Sequence, residues 1–138
     1  MLGKIRRFVF HSSRYEKSLF LEALFLQIWI KILILFIPFK RYTVWFANTE
    51  KTNLELDITQ LLAIKKAIHR ANRVTNWHNQ CLVMSLCART MMKSRKANST
   101  LYLGLHLENK KLKAHAWISA NEIELVEKDG SYEAIFTF

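Results

Sequence analysis

The run QCLVMSLCARTMM (Gln80–Met92), followed by TLYLGLHL (Thr100–Leu107) and LKAHAWIS (Leu112–Ser119), decides how this chain folds. In the first segment Leu82, Val83, Met84, Leu86, Cys87, Ala88, Met91 and Met92 leave little polar surface. A helix that is apolar nearly all round belongs in the middle of a domain. In the second, Leu101, Leu103, Leu105 and Leu107 alternate with Thr100, Tyr102, Gly104 and His106, the period of a half-buried strand. In the third, Lys113, His115, Trp117 and Ser119 share one face and Leu112, Ala114, Ala116 and Ile118 the other. A turn at Glu108–Lys111 joins the two strands, and if it closes symmetrically it sets Gly104 across from His115.

Upstream, Asp57 and Gln60 have the spacing of a capping box, and Leu61, Ile64, Ile68 and Ala71 recur at helical period. Lys65, Lys66, His69, Arg70 and Arg73 lie mostly off that stripe, as a solvated outer face. Downstream, two short strands are expected around Ile123–Glu127 and Tyr132–Phe138, separated by the turn residues Asp129, Gly130 and Ser131. Helices first and an antiparallel meander second make the fold class α+β: N-terminal helices and a buried central helix packed on a small antiparallel sheet.

The chain has 138 residues, 51% of them apolar, which suits one compact unit with one core. The pattern changes near Glu50–Asn53, so residues 1–53 read as an apolar helical extension and residues 54–138 as the core. Within the extension, SLFLEALFLQIWIKILILFIPF (Ser18–Phe39) has the length of a membrane span. It also contains Glu22, Gln27 and Lys31, and a charge near the bilayer centre costs about 2.5–3.5 kcal/mol. The run therefore reads as a buried or partly surface-lying helix stopped by Pro38, with a peripheral contact to a membrane or exporter left open. No small-residue cleavage site follows it, and the expected location is cytoplasmic.

Twenty-one Lys and Arg against eleven Asp and Glu give +10, which favours acidic partners. The charges are dispersed and no nucleic-acid fingerprint accompanies them, so no nucleic-acid partner is expected. Cys81 and Cys87 are too few for a disulfide framework and read as reduced thiols. Their spacing matches no zinc pattern, so neither metal nor cofactor is expected.

A thiol reacts as thiolate, and a free cysteine is only a few per cent ionised at neutral pH. Unpaired N–H groups at a helix start and a neighbouring imidazolium both favour the anion. Cys81 has the helix start by position, and His115 can supply the imidazole if the sheet brings it near. Cys87 lies two turns further on in the apolar helix and has neither.

The combination Trp77-x3-Cys81-Leu82, the strand Leu103–Leu105 (LGL) and Ala114–Trp117 (AHAW) resembles the leader peptidases of lasso-peptide biosynthesis, within the transglutaminase-like cysteine-protease superfamily. Those peptidases also begin with a Leu-rich apolar region ending near a Pro-Phe-basic sequence, here Pro38 to Arg41. The resemblance implies a transglutaminase/papain-like fold, Cys81 as nucleophile and His115 as base. The family's Asp stands about a dozen residues after the histidine, where this chain has Glu127. A three-residue loop at Ala120–Glu122 would put Glu127 across from His115 on the same face, whereas a two-residue loop would not; Asn121 and Asp129 are the other candidates. The backbone N–H of Cys81 is the first oxyanion donor, with a second from Gln80, Asn79 or Trp77. Gly104 would leave room for a substrate backbone beside the base, and Trp117 would line the same site. His78 and His106 read as structural or rim residues.

The resemblance further implies a ribosomally made precursor as substrate, whose leader is removed so that an ATP-dependent macrocyclase can close the ring. The chain is too short for its own leader-gripping domain, so a separate leader-recognition protein is implied. The alternatives are a non-catalytic binding protein on the same fold and a membrane-associated basic protein.

Overall fold

The computed structural model describes residues 14–47, 55–75, 80–128 and 133–137. Four helices precede four strands: α1 (Arg14–Phe36), α2 (Phe39–Ala47), α3 (Ile58–Thr75), α4 (Gln80–Ser94), β1 (Thr100–Glu108), β2 (Lys111–Ala120), β3 (Ile123–Val126) and β4 (Glu133–Thr137). The fold is α+β, as the order of periodicities predicts. α3 begins with the expected capping box: the Gln60 amide donates to Asp57 Oδ1 at 2.8 Å, and the Asp57 amide to Gln60 Oε1 at 3.2 Å.

α4 is the centre. From Val83 to Arg89 every residue is buried, and so are Met91 and Met92. α1 and α3 cover it on one side, and β2 and β3 on the other. The core pairs Leu19, Ala23 and Ile30 of α1 with Leu61, Ile64 and Ile68 of α3, Leu86 and Met91 of α4, and Leu101, Ile118 and Leu125 of the sheet. Burying an aliphatic side chain of this size contributes about 1.5–3 kcal/mol, so the surroundings of α4 hold most of the stabilising area.

Three polar side chains are buried among the described residues, Gln27, Ser85 and Arg89, and two of them join separate segments. Gln27 of α1 donates from Nε2 to the Ile68 carbonyl at 2.9 Å, joining α1 to α3. Arg89, on the helix that reads as apolar, is fully buried. Its Nε donates to the Phe46 carbonyl at 3.1 Å, and its Nη1 to the Ser99 carbonyl at 2.6 Å and to Ser99 Oγ at 3.0 Å. It thereby ties the end of α2 to the segment entering β1, and burial pushes its pKa down from the ordinary guanidinium range.

β1 and β2 pair in the anticipated register from Thr100↔Ser119 to Glu108↔Lys111, with Gly104 opposite His115. Asn109 and Lys110 both have positive φ, 50° and 64°, as a two-residue type I′ turn requires. The sheet order is β3-β2-β1-β4, which corrects the expected meander to a Greek key. The reason lies at the outer edge of β3, which α3 covers: His69 Nε2 donates to the Leu125 carbonyl at 3.3 Å, and Lys65 pairs with Glu127 at 3.2 Å. β4 pairs instead along the open edge of β1. The expected turn at Asp129–Ser131 lies outside the described residues.

Arg89→Met keeps the apolar stem and removes every donor, leaving the Phe46 and Ser99 carbonyls without it. A loss of about 2–4 kcal/mol is expected, read as a lower urea midpoint at unchanged slope.

Candidate active site

Cys81 is the second residue of α4 and half-buried, whereas Cys87 is sealed in the core. The first N–H groups of a helix have no partner within it, and Cys81 stands among them in the first turn of α4. Cys87 Sγ lies 3.6 Å from the Ala23 carbonyl and 4.0 Å from Met91 Sδ. Burial, then the nearby Glu22 charge, pushes its thiol well above the ordinary range near 9. The two thiols of one helix therefore differ in access, and burial disfavours the thiolate of Cys87.

His115 lies near the middle of β2. Its Nε2 is 2.8 Å from the main-chain oxygen of Glu127. A carbonyl only accepts, so Nε2 is the donor in this contact. Trp117, two residues along the same face, stacks on His115 at 6.0 Å between centroids and 18° between planes. Tyr102, the cross-strand partner of Trp117, stacks on the same indole at 5.4 Å and 10°, and Lys128 Nζ stands 5.4 Å from the Trp117 centroid. Three rings on one face thus restrict the plane of the imidazole. Among the described contacts no hydrogen bond joins Cys81 to His115; such bonds commonly tighten only with substrate bound.

The β2–β3 connection departs from the three-residue loop. Ala120 pairs with Ile123 across a two-residue turn, Asn121 and Glu122, both with positive φ. Left regular, that register would put Glu127 across from Ala116, on the face away from His115. A bulge intervenes: Ser119 pairs with Glu124 but Ile118 with Val126, leaving Leu125 as the extra residue. Its carbonyl is the one His69 takes, and burial as the largest influence lowers the pKa of His69. Carried one pair further, the shifted register sets Glu127 opposite Trp117, on His115's face.

Glu127 is thereby brought to His115 through its main chain. Its carboxylate is held by Lys65 of α3, so the acceptor that orients the imidazole is a carbonyl and not the expected side chain. Asn121 sits exposed in the turn at the far end of β2, six residues or about 20 Å of strand from His115. Trp77, His78, Asn79, Asp129 and the side chain of Gln80 lie outside the described residues. Gly104 faces His115, but the room beside it is filled: a Cβ there would lie 2.6 Å and 2.7 Å from the Trp117 ring and 2.8 Å from the Glu133 carbonyl. The missing side chain makes room for Trp117 and β4, which corrects the expected space for substrate. His106 pairs across the ladder with Lys113, near the β1–β2 turn. Sequence reasoning misses Tyr102, Lys65 and Lys128; Tyr102 alone leaves a signal, as the aromatic that alternates onto His115's face.

The family model of the transglutaminase-like superfamily matches residues 37–137. The chain belongs to that superfamily. No curated protein and no solved structure matches it. The superfamily includes cysteine peptidases, and its match runs from the last residues before α2 to the end of β4, leaving α1 outside.

Iodoacetamide is expected to label Cys81 in the folded protein roughly a hundredfold or more faster than Cys87, which reacts at full rate only in urea; peptide mapping reads both. Cys87 also sets a pH dependence. Its folded-state pKa is raised, so above about pH 9 the unfolded chain releases a proton the folded one retains, and stability falls by up to about 1.4 kcal/mol per pH unit. Urea midpoints at mildly and strongly alkaline pH should show a steeper decline for the parent than for Cys87→Ala.

Proposed function

We propose that the protein is a cysteine peptidase that removes the leader from a ribosomally synthesised lasso-peptide precursor. The observation that carries the catalytic part is the accessible Cys81 thiol in the first turn of α4, beside a sealed Cys87, with the His115 imidazole held through Nε2 on β2, in a superfamily that includes cysteine peptidases. The leader-peptide part rests on the Trp77-x3-Cys81-Leu82, LGL and AHAW motifs.

In this reading Nδ1 of His115 takes the Cys81 proton, and the thiolate attacks the scissile carbonyl. The carbonyl oxygen gains the negative charge, and the unpaired N–H groups at the start of α4, that of Cys81 first, stabilise it. The imidazolium returns its proton to the leaving amine as the C–N bond breaks, which leaves a thioester. His115 then deprotonates water, the hydroxide adds to the thioester carbon, and the free acid and thiol are restored. Trp117 acts here as a positioning residue, and the Glu127 main-chain oxygen keeps the tautomer. A separate leader-recognition protein would present the precursor, and an ATP-dependent macrocyclase would consume the freed amine.

The test is cleavage of candidate precursors in the presence of a leader-binding protein, followed by mass spectrometry. Cys81→Ala and His115→Ala are each expected to lower the rate about a thousandfold or more. Glu127→Ala should stay within about tenfold of the parent, because it removes a carboxylate and keeps the carbonyl. Unchanged cutting by Cys81→Ala would overturn the assignment.

A further inference from the structure

α1 buries one side and exposes the other. Leu19, Ala23, Gln27 and Ile30 face α3 and α4, and on the opposite side Leu21, Phe25, Trp29, Ile32, Leu35 and Phe36 form a continuous apolar stripe. Phe25 is 68% exposed, Leu35 69% and Phe36 82%. Trp45 of α2, 54% exposed, adds a further indole beyond the Pro38 break. Scattered exposed apolar residues are ordinary, but a stripe along a whole 23-residue helix marks a contact surface. This helix also precedes the segment matched by the superfamily.

Charge selects what would cover it. Across α1 and α2 the cations are Arg14 at the start of the stripe, Lys17 and Lys31 on one flank by helical spacing, and Lys40 and Arg41 past Pro38. The only acids of these two helices are Glu16 and Glu22, and both turn to arginines of the body: Glu16 to Arg70 at 3.9 Å, and Glu22 to Arg95 through a two-pronged contact at 3.0 and 2.7 Å. An apolar stripe with indoles, bordered by cations and with its acids drawn inward, is the composition of a helix lying in an anionic lipid interface. A crossing orientation is disfavoured, because it would break the Gln27–Ile68 and Glu22–Arg95 contacts and strip the core of Leu19, Ala23 and Ile30.

We propose that α1 and α2 form a peripheral docking surface for an anionic membrane, with α1 lying in the plane of the headgroups. The proposal is independent of Cys81. Purified full-length protein is sedimented with vesicles of phosphatidylcholine alone or mixed with phosphatidylglycerol. Binding is expected to the mixed vesicles, about tenfold weaker to the neutral ones, and weakened by salt. Phe25→Glu with Trp29→Glu, both on exposed positions, should reduce binding to the mixed vesicles about tenfold with an unchanged circular dichroism spectrum. Lys40→Glu with Arg41→Glu should weaken binding to the mixed vesicles and leave binding to the neutral ones as it was. The idea fails if the parent stays in the supernatant with mixed vesicles at low salt, or if the Phe25/Trp29 variant binds like the parent. It fails equally if light scattering shows a dimer that this variant abolishes while vesicle binding is absent, since the stripe would then join two copies of this chain.

Discussion

A helix with no polar side must be surrounded, and the rest of the molecule follows from surrounding α4. The cost of doing so is met in part. α1 brings Glu22 and Gln27 into the packed region, where Glu22 pairs with Arg95 and Gln27 Nε2 with the Ile68 carbonyl, while Gln27 Oε1 and Ser85 Oγ are buried without a hydrogen-bond partner. Arg89 interrupts the apolar surface of α4 itself and is accepted because three oxygens receive its protons. Burial is also graded along α4: Cys81 and Leu82 are half-covered, and cover is complete from Val83 onward to Ala88 and Arg89. That gradient separates an accessible thiol at the helix start, where unpaired N–H groups lie, from a sealed one two turns later.

What is legible in the sequence has short-range causes. The β1–β2 ladder follows from a period-two pattern and a two-residue turn, so the residue order alone sets Gly104 against His115. The α3 cap follows from two residues three apart. The illegible parts depend on contacts between distant segments. Nothing local marks Leu125 as a bulge, because its stabilisation comes from a leucine side chain entering the core and from a histidine 56 residues away. Arg89 reads as a surface charge on composition, and its acceptors, at Phe46 and Ser99, come from two other segments. The same limit applies to the sheet order: β4 goes to β1 because α3 has taken the edge of β3, a fact about layers and not about strands.

Gly104 shows how a correct register can carry a wrong inference. Its place opposite His115 suggests open space, and across a flat ladder that would follow. Ring size decides otherwise, since Trp117 on the neighbouring pair reaches diagonally over the glycine, within the roughly 7–8 Å span that such side chains bridge. The glycine is thus a condition for the stack that holds His115, one step removed from any substrate.

The way His115 is held has a further consequence. A carboxylate at position 127 would fix the tautomer and also oppose the positive charge of the imidazolium; a carbonyl does the first and contributes only a dipole to the second. The carboxylate present is engaged with Lys65 in a largely solvated pair, a contact worth at most about 1 kcal/mol. Orientation of the His115 imidazole therefore depends chiefly on backbone register. That register is produced by two irregularities in sequence, the Asn121–Glu122 turn and the Leu125 bulge, whose shifts combine to return Glu127 to the face of His115. Removing the bulge while keeping the turn would slide the strand by one residue and carry the carbonyl to the other face. His69 of α3 supplies a donor to the bulged carbonyl of Leu125, which joins α3 to the irregularity that positions Glu127.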